Sequence, residues 1–256
     1  MSEESSNTTP VDERAKIKEI FSSVQGEGMF AGVKQVFIRF CACNLRCVYC
    51  DTDYLPVNIN DKDSYFEFTP KELKDYIESR FDLSSVHSVS LTGGEPLIWA
   101  DFLKRFMPGL NVKYYLETNA TIYDNIEKII HYVDIIAADL KLPSCAGYEG
   151  VFGLHDKFFN AVKNSRVGCA VEKEFNCGNK NIFAKVVFDG NITDEEIKEC
   201  TRLAGKYDFE LVLQPRMIDD KPAVRSDFAM SVFEKFVKLH KHTRLIPQMH
   251  KFLDIE

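Results

Sequence analysis

Three cysteines lie close together at Cys43, Cys47 and Cys50, with the spacing C-x3-C-x2-C, directly after the apolar run 36–40. Thiolates are soft ligands that select zinc, copper(I) or iron–sulfur clusters. A structural zinc knuckle, completed by Cys41 or a distant histidine, is one interpretation. A cuboidal iron–sulfur cluster with one open iron is the other. The second is favoured because structural zinc sites commonly use four ligands in two separated pairs.

A second motif, Gly93-Gly94-Glu95-Pro96, follows a predicted strand. Glycine lets the backbone approach a ligand closely, and the Glu95 carboxylate could pair with a ligand ammonium group. The same letters also predict an ordinary strand-to-helix turn with proline in the first helical position. The motif alone leaves both interpretations open.

Polar residues near the N-terminus form a third candidate site. The amide of Gln25 and the carboxylate of Glu27, in the turn Gln25-Gly26-Glu27-Gly28, could pair with the donor–acceptor edge of a heterocycle. A glycine turn with solvated side chains is the alternative. Arg39 lies in an apolar strand and needs a partner, which is either a bound carboxylate or an internal salt bridge.

The elements that position these residues alternate between strand and helix. Strands are predicted at 17–24, 34–40, 88–91, 112–116, 133–139, 182–188, 209–213 and 243–246. Helices are predicted from Thr69 onward and at 98–107, 122–131, 193–206 and 226–241, with a polar loop at 51–68. This alternation indicates a parallel sheet with crossover helices. Residues 143–181 do not fit it and are expected to form a loop or insertion, with a helix over 156–163.

The motifs fall at the carboxyl ends of the predicted strands, where (β/α) barrels carry their active sites. Fewer than eight βα units are visible, so the expected fold is α/β, an incomplete (β/α) barrel. Residues 1–15 are rich in serine, glutamate and threonine and are expected to be a disordered tail, which leaves 16–256 as one domain.

Composition limits the function. A formal net charge of −7 argues against a nucleic-acid or membrane surface, and no apolar run approaches a membrane span. Eight cysteines and a polar N-terminus predict a reducing, cytoplasmic location. Cys41 is interpreted as a packed apolar residue. The scattered Cys145, Cys169, Cys177 and Cys200 are expected in the core, with an auxiliary cluster as the less favoured alternative.

The cysteine motif, with Tyr49 as its aromatic residue, and Gly93-Gly94-Glu95-Pro96 together resemble the radical S-adenosylmethionine (SAM) superfamily. A narrower resemblance is to its 7-carboxy-7-deazaguanine synthase family. It is carried by the segments 25–28, 37–39, 43–45, 50–52, 92–96, 117–119, 139–141, 214–215 and 248–251.

The resemblance implies a 4Fe-4S cluster on the three cysteines, with SAM chelating the open iron. It places adenine at Tyr49, Cys50 and Asp51, and the methionyl amine at Gly94 and Glu95. Further SAM contacts are expected from Thr118, Asp139, Lys141, Ser144 and Gln214. It implies substrate contacts from Val24, Gln25, Gly26, Glu27, Arg39, Thr92 and His250, and a magnesium ion on Thr52.

The implied activity is that of a radical SAM lyase that contracts a carboxylated tetrahydropterin with loss of ammonia. No amino acid is assigned as an acid–base catalyst, because positioning and the cofactor supply the chemistry. An electron donor such as flavodoxin or ferredoxin and a homodimer are expected. Two alternatives stay open: another radical SAM enzyme, such as a glycyl-radical activase, and a non-catalytic zinc-binding module.

Overall fold

The computed structural model describes residues 14–50, 64–167, 182–253 and 255. Most strands are apolar segments that end at a turn or at a polar residue. The described strands are, in chain order, β1 Ala15–Val24, β2 Lys34–Phe40, β3 Phe66–Phe68, β4 Ser88–Gly93, β5 Tyr114–Thr118, β6 Ile135–Asp139, β7 Ile182–Phe188, β8 Glu210–Pro215, β9 Met217–Ile218, β10 Lys221–Pro222 and β11 Thr243–Leu245.

Nine of these strands form one sheet, in the order β11-β8-β7-β6-β5-β4-β2-β1-β3. From β2 to β11 each neighbouring pair is parallel, as the strand–helix alternation predicts. The sheet begins with an antiparallel section, because β1 and β2 form a hairpin and β3 pairs antiparallel with β1. β3 and β11 are its two edges. The described sheet therefore stays open, which confirms the incomplete barrel.

The helices cover the sheet and bury an apolar core. They are α1 Pro70–Arg80, α2 Ala100–Phe106, α3 Tyr123–Ile126, α4 Pro143–Ala146, α5 Val151–Val167, α6 Asp194–Tyr207, α7 Ser226–Leu239 and α8 Met249–Leu253. A capping box starts α6: Thr193 Oγ1 accepts from the N–H of Glu196, whose carboxylate accepts from the N–H of Thr193. Thr69 and Glu72 do the same for α1.

Several boundaries differ from the predictions. The segment expected to be a loop or insertion contains α5, a crossover helix of 17 residues that packs against α3 and α6, so the predicted helix at 156–163 is too short. Residues 168–181 lie outside the described residues. The predicted helices at 98–107 and 122–131 are each divided into a short α-helix and a 3-10 turn.

The predicted loop at 51–68 ends in a short strand, β3, and its first part lies outside the described residues. The expected tail at 1–15 is described only from residue 14, and β1 already begins at Ala15. Among the helices that the structure describes, none combines the length and the apolar character needed to cross a membrane.

Candidate active site

A pocket of about 930 Å³ opens at the carboxyl ends of the parallel strands. Most of the predicted site residues line it together. These are Val24, Gln25, Gly26, Glu27, Arg39, Cys43, Cys47, Tyr49, Cys50, Thr92, Gly94, Thr118, Asp139, Lys141, Gln214 and His250. Asp51 and Thr52 lie outside the described residues. Glu95 and Ser144 do not line the pocket.

The cysteine loop follows β2 and forms one wall. Cys43, Cys47 and Cys50 all face the pocket, and none is in a disulfide. The N–H of Leu45 and the side-chain amide of Asn119 donate to the Cys43 sulfur, at 3.4 and 3.8 Å. Hydrogen bonds to sulfur stabilise a coordinating thiolate, so this wall suits a metal–sulfur centre.

The donor set fits a cluster better than a single ion. In the part of the chain that the structure describes, no three His, Cys, Asp or Glu side chains converge as ligands of one metal ion. A cuboidal cluster distributes three cysteine ligands over three irons, so the thiols need only share one pocket wall. Burial raises the pKa of the Cys43 and Cys47 thiols, so binding of iron there must release their protons.

The two glycines after β4 hold this loop against the sheet. A Cβ atom on Gly94 would lie 2.0 Å from the carbonyl oxygen of Ala42, and one on Gly93, whose φ is +111°, 2.3 Å from that of Phe40. The N–H groups of Gly94 and Glu95 donate to these two oxygens, each at 2.9 Å. The Gly-Gly pair thus lets the backbone after β4 pack directly on the entrance to the cysteine loop.

Glu95 lies behind the pocket wall, and its expected contact with a ligand ammonium group stays a prediction. It is fully buried and accepts hydrogen bonds from the N–H groups of Leu97 and Asn119 and from Thr118 Oγ1. Burial raises the pKa of Glu95 to about 7, although these hydrogen bonds oppose the shift. Glu95 caps the 3-10 turn that Pro96 starts and braces the end of β5, as the strand-to-helix interpretation predicted.

The end of β6 supplies a charged pair beside the cysteines. Lys141 Nζ lies 3.0 Å from Asp139 Oδ2 and 5.3 Å from the centre of the Tyr49 ring. The buried His155 of α5 holds this segment: its Nε2 accepts from the N–H of Lys141, and its other ring nitrogen lies 3.2 Å from the carbonyl oxygen of Ala120. Burial lowers the pKa of His155 to about 4, so its ring stays neutral.

Two further predicted SAM contacts differ in their placement. Gln214 lines the pocket, is 2% exposed, and has an Oε1 atom without a hydrogen-bond partner. Such an acceptor suits a ligand donor. Ser144 is instead committed to α6, because its N–H and Oγ donate to the Glu196 carboxylate at 2.8 and 2.7 Å. The expected contact between Ser144 and SAM stays a prediction.

The opposite side of the pocket holds a buried polar network. Both amide protons of Gln25 are used, since Nε2 donates to Gln35 Oε1 and Glu117 Oε1, each at 3.0 Å. Its oxygen accepts from the N–H of Glu27. Gln25 therefore fixes its neighbours, and its expected contact with a heterocycle stays a prediction. The carboxylates of Glu27 and Glu117 line the same side and can accept from a ring edge.

The C-terminal segment folds back onto this network. The N–H of Met249 donates to the carbonyl oxygen of Gly26, and Gln248 Nε2 donates to Glu27 Oε1 at 2.5 Å. A Cβ atom on Gly26 would lie 2.1 Å from His250 Nδ1, so the imidazole packs directly against that backbone. His250 thus reaches the pocket from a distant part of the chain.

Arg39 combines features of both interpretations. Its Nε lies 2.8 Å from Glu19 Oε1, an ion pair without an aligned hydrogen bond, and its guanidinium stacks on Phe21 at 5.1 Å. The Arg39 side chain is 29% exposed and lines the pocket. The ion pair with Glu19 leaves Arg39 accessible to a ligand.

Sequence reasoning missed Lys185 as a pocket residue, and it assigned no role to three others that lie in segments carrying the resemblance, Glu117, Asn119 and Gln248. Lys185 carried a signal, because a lysine inside the otherwise apolar β7 must find buried partners. The remaining three gained importance only through contacts between distant segments. The other described cysteines, Cys41, Cys145 and Cys200, are buried, and Cys169 and Cys177 lie outside the described residues.

Comparison with known proteins agrees with this geometry. The sequence model of the radical SAM superfamily matches residues 37–164, which include the cysteine loop and the Gly-Gly motif. Membership implies a 4Fe-4S cluster and SAM, which the three thiols on the pocket wall suit. Two solved structures share the fold, each with a TM-score of 0.55: QueE from Escherichia coli (18% identity, 93% of this chain and 95% of that chain) and a radical SAM methyltransferase from Sphaerobacter thermophilus (11% identity, 89% and 77%).

Curated relatives narrow the family. The 7-carboxy-7-deazaguanine synthase of Archaeoglobus fulgidus is 34% identical over 94% of this chain and 99% of its own length. The 7-carboxy-7-deazaguanine synthase of Geobacter sulfurreducens is 33% identical over 93% of this chain and 97% of its own length. With the superfamily motifs on one pocket wall and full-length similarity to these enzymes, the chain belongs to the 7-carboxy-7-deazaguanine synthase family of radical SAM enzymes.

Proposed function

We propose that the protein converts 6-carboxy-5,6,7,8-tetrahydropterin to 7-carboxy-7-deazaguanine and ammonia, in deazapurine biosynthesis of the queuosine type. Substrate and ring-contracted product differ only by the elements of ammonia, so the conversion needs no net oxidant or reductant. The names of the full-length relatives support this assignment.

One observation carries the proposal: a single pocket joins the cysteine loop to a buried carboxylate network. Cys43 and Lys141 lie on one side, and Glu27, Glu117 and Lys185 on the other. When bound, the cluster and SAM would supply the radical chemistry for hydrogen abstraction. The protein has only to hold the substrate carbon near that side and exclude competing reactions.

The pocket residues have complementary roles in this proposal. Asp139 and Gln214 offer acceptors to SAM, and Arg39 binds the substrate carboxylate as a bidentate cation. Glu27 and Glu117 accept from the ring N–H groups. Val24, Gly26, Thr92 and His250 shape the substrate side, while Tyr49, Cys50, Asp51, Gly94 and Thr118 belong to the SAM side.

Further parts of the proposal extend beyond the pocket. A magnesium ion on Thr52 would fix the substrate carboxylate, since magnesium prefers oxygen ligands and accepts substrate oxygens and water. A flavodoxin or ferredoxin would supply the electron, in a reducing cytoplasm that keeps the thiols free. The proposed oligomeric state of the protein is a homodimer.

The test is turnover by the reconstituted full-length protein. It is incubated without oxygen with SAM, dithionite, magnesium and the tetrahydropterin, and the products are identified by mass spectrometry. Formation of 7-carboxy-7-deazaguanine with one equivalent of ammonia is expected, and omission of SAM should abolish it. SAM cleavage that leaves the tetrahydropterin unconsumed would contradict the proposal and favour the alternative of a glycyl-radical activase.

A further inference from the structure

Lys185 forms the centre of the polar network, although the proposed chemistry assigns it no role. Its side chain is 5% exposed. Its Nζ lies 2.6 Å from Glu27 Oε2, 3.4 Å from Glu117 Oε2 and 3.4 Å from Asp139 Oδ1. These carboxylates come from the turn after β1, from β5 and from β6. One ammonium group thus connects three separate segments at the pocket.

The charges in this cluster do not balance. Lys185 and Lys141 are two cations that face the three carboxylates of Glu27, Glu117 and Asp139. One negative charge is left over in a largely buried setting. A ligand with several N–H donors would offset this surplus, whereas a ligand that presents only acceptors would be repelled.

Other groups fix the carboxylates in place. Glu117 Oε1 accepts from Gln25 and from Ser90 Oγ, and Glu27 Oε1 accepts from Gln248. Each carboxylate therefore has its remaining accepting capacity beside Lys185 and the pocket. Both amide protons of Gln25 are used within the protein, and Glu27 and Glu117 supply acceptors that line the pocket beside it.

We propose that Lys185 is a positioning residue that fixes the carboxylates of Glu27 and Glu117 as a pair of acceptors for the N–H edge of a 2-amino-4-oxo ring. This inference rests on the proposed function and names how its substrate ring is selected. The proposal predicts that the site binds rings that carry the amino group more tightly than rings that lack it. This preference should depend on Lys185, although Lys185 does not contact the reacting carbon.

The protonation of Glu27 supports the proposal. Burial alone would raise the pKa of Glu27, but the charge and hydrogen bond of Lys185, with the contact from Gln248, lower it to about 2. Among the described charged and titratable groups, Lys185 from β7 and His250 from the C-terminal segment act on Glu27 directly, and Glu117 from β5 and Asp139 from β6 share the Lys185 ammonium group with it. Without Lys185, the burial of Glu27 and the nearby carboxylates would favour the protonated form of Glu27. A protonated carboxyl group is a donor at a position where the ring N–H groups need an acceptor.

The experiment measures binding by the full-length protein loaded with cluster and SAM, by anaerobic equilibrium dialysis between about pH 5 and 7. The probes are 6-carboxypterin and 6-carboxylumazine, in which a carbonyl replaces the amino group. The variants are Lys185→Met and Lys185→Arg. Lys206→Met is the control, because Lys206 also forms an ion pair, 2.8 Å from Asp156, but is 48% exposed and does not line the pocket.

Wild type and Lys206→Met should bind 6-carboxypterin at least about tenfold more tightly than 6-carboxylumazine, with little pH dependence. Lys185→Met should lose most of that preference, and its affinity for 6-carboxypterin should fall by about tenfold for each unit of decreasing pH. Lys185→Arg should restore the flat profile. A merely structural lysine would change the melting temperature but not this pH profile.

Two results would overturn the inference in different ways. Folded Lys185→Met with the wild-type preference and a flat profile would overturn it while leaving the proposed function intact. A wild type that binds both probes equally tightly would also overturn it, whereas failure of the turnover test above would overturn the proposed function. If Lys185→Met does not fold, the double variant Lys185→Met/Glu117→Gln replaces it. This variant removes one positive and one negative charge, so the net charge of the cluster does not change. A flat profile in that double variant would equally contradict the role of Lys185.

Discussion

The ammonium nitrogen of Lys185 lies 2.6 Å from Oε2 of Glu27, although 158 positions separate the two residues in the chain. Glu27 lies in the turn after β1, and Lys185 lies in β7. The contact forms because this turn reaches across the strand ends and packs on β7. Through it the antiparallel start of the sheet and its parallel part together form one binding pocket.

Replacing Cys43, Cys47 or Cys50 with alanine should remove the cluster. The three thiols are its only expected protein ligands, so the loss of one leaves an iron uncoordinated. Wild-type protein reconstituted without oxygen should contain about four irons and four sulfides per chain. Cys41→Ala is the matched control, because Cys41 is 3% exposed and packs in the core. Loss of iron in Cys41→Ala together with its retention in Cys43→Ala would contradict the ligand assignment.

Arg39→Ala should strongly reduce turnover of the tetrahydropterin while leaving reductive cleavage of SAM measurable. Removing one partner of a desolvated charge pair in a complex typically costs about 2–5 kcal/mol. The pair with Glu19 is partly exposed in the free protein, so the loss of stability should be at most about 1 kcal/mol. Glu19→Gln is the control, because it breaks the same ion pair but leaves the guanidinium. Equal losses of turnover in both variants would indicate a structural salt bridge.

Gly26→Ala should raise the KM for the tetrahydropterin, because its new Cβ would collide with His250 and displace the C-terminal segment. SAM cleavage without substrate should remain near the wild-type rate, since the cysteine loop is on the other side of the pocket. Gly205→Ala is the matched control: it lies in α6 with nothing within 4 Å of the added atom. It should stabilise that helix by roughly 1 kcal/mol. Unchanged KM in Gly26→Ala would contradict a role for the C-terminal segment in substrate binding.

The buried His155 should make the fold less stable in mild acid. Burial lowers its pKa from 6.5 to about 4, so between these values the unfolded chain binds a proton that the folded chain does not. Stability is therefore full above pH 6.5 and falls as the pH decreases towards 4, by roughly 3 kcal/mol from this residue. Urea unfolding over this range should show a smaller pH dependence for His155→Gln. His131→Gln, at an exposed position, should retain the wild-type slope.

Activity should depend on magnesium through Thr52, if this residue is the metal ligand. The ion would have few protein ligands, so Thr52→Ala should raise the magnesium concentration needed for half-maximal turnover. The iron content should not change, although Cys50 is only two positions away. A threonine that merely closes the turn predicts lower stability with the same magnesium requirement. Identical midpoints in the two magnesium titrations would therefore rule out Thr52 as the ligand.

The sequence by itself determined the family, the alternating architecture and most of the pocket wall. Cys43, Cys47 and Cys50 are close in the chain, so their spacing alone places three thiols in one loop. Arg39 and Asp139 could be assigned to the same rim, because parallel strands end at one edge of the sheet. Local spacing and strand direction are properties that sequence carries directly.

Only the tertiary structure decided which polar groups are free to meet a ligand. Glu95 and Ser144 were expected to contact SAM, and long-range hydrogen bonds to Thr118 and Glu196 engage their polar atoms. Gln25 is occupied in the same way, whereas Lys185, outside every motif, carries three ion pairs. A buried polar group is satisfied by whichever segment the fold brings to it, and such partners lie far away in the chain. The residue types that contribute to the site can therefore be predicted from local sequence. Tertiary contacts decide which of their hydrogen-bonding groups are free and what net charge the site has.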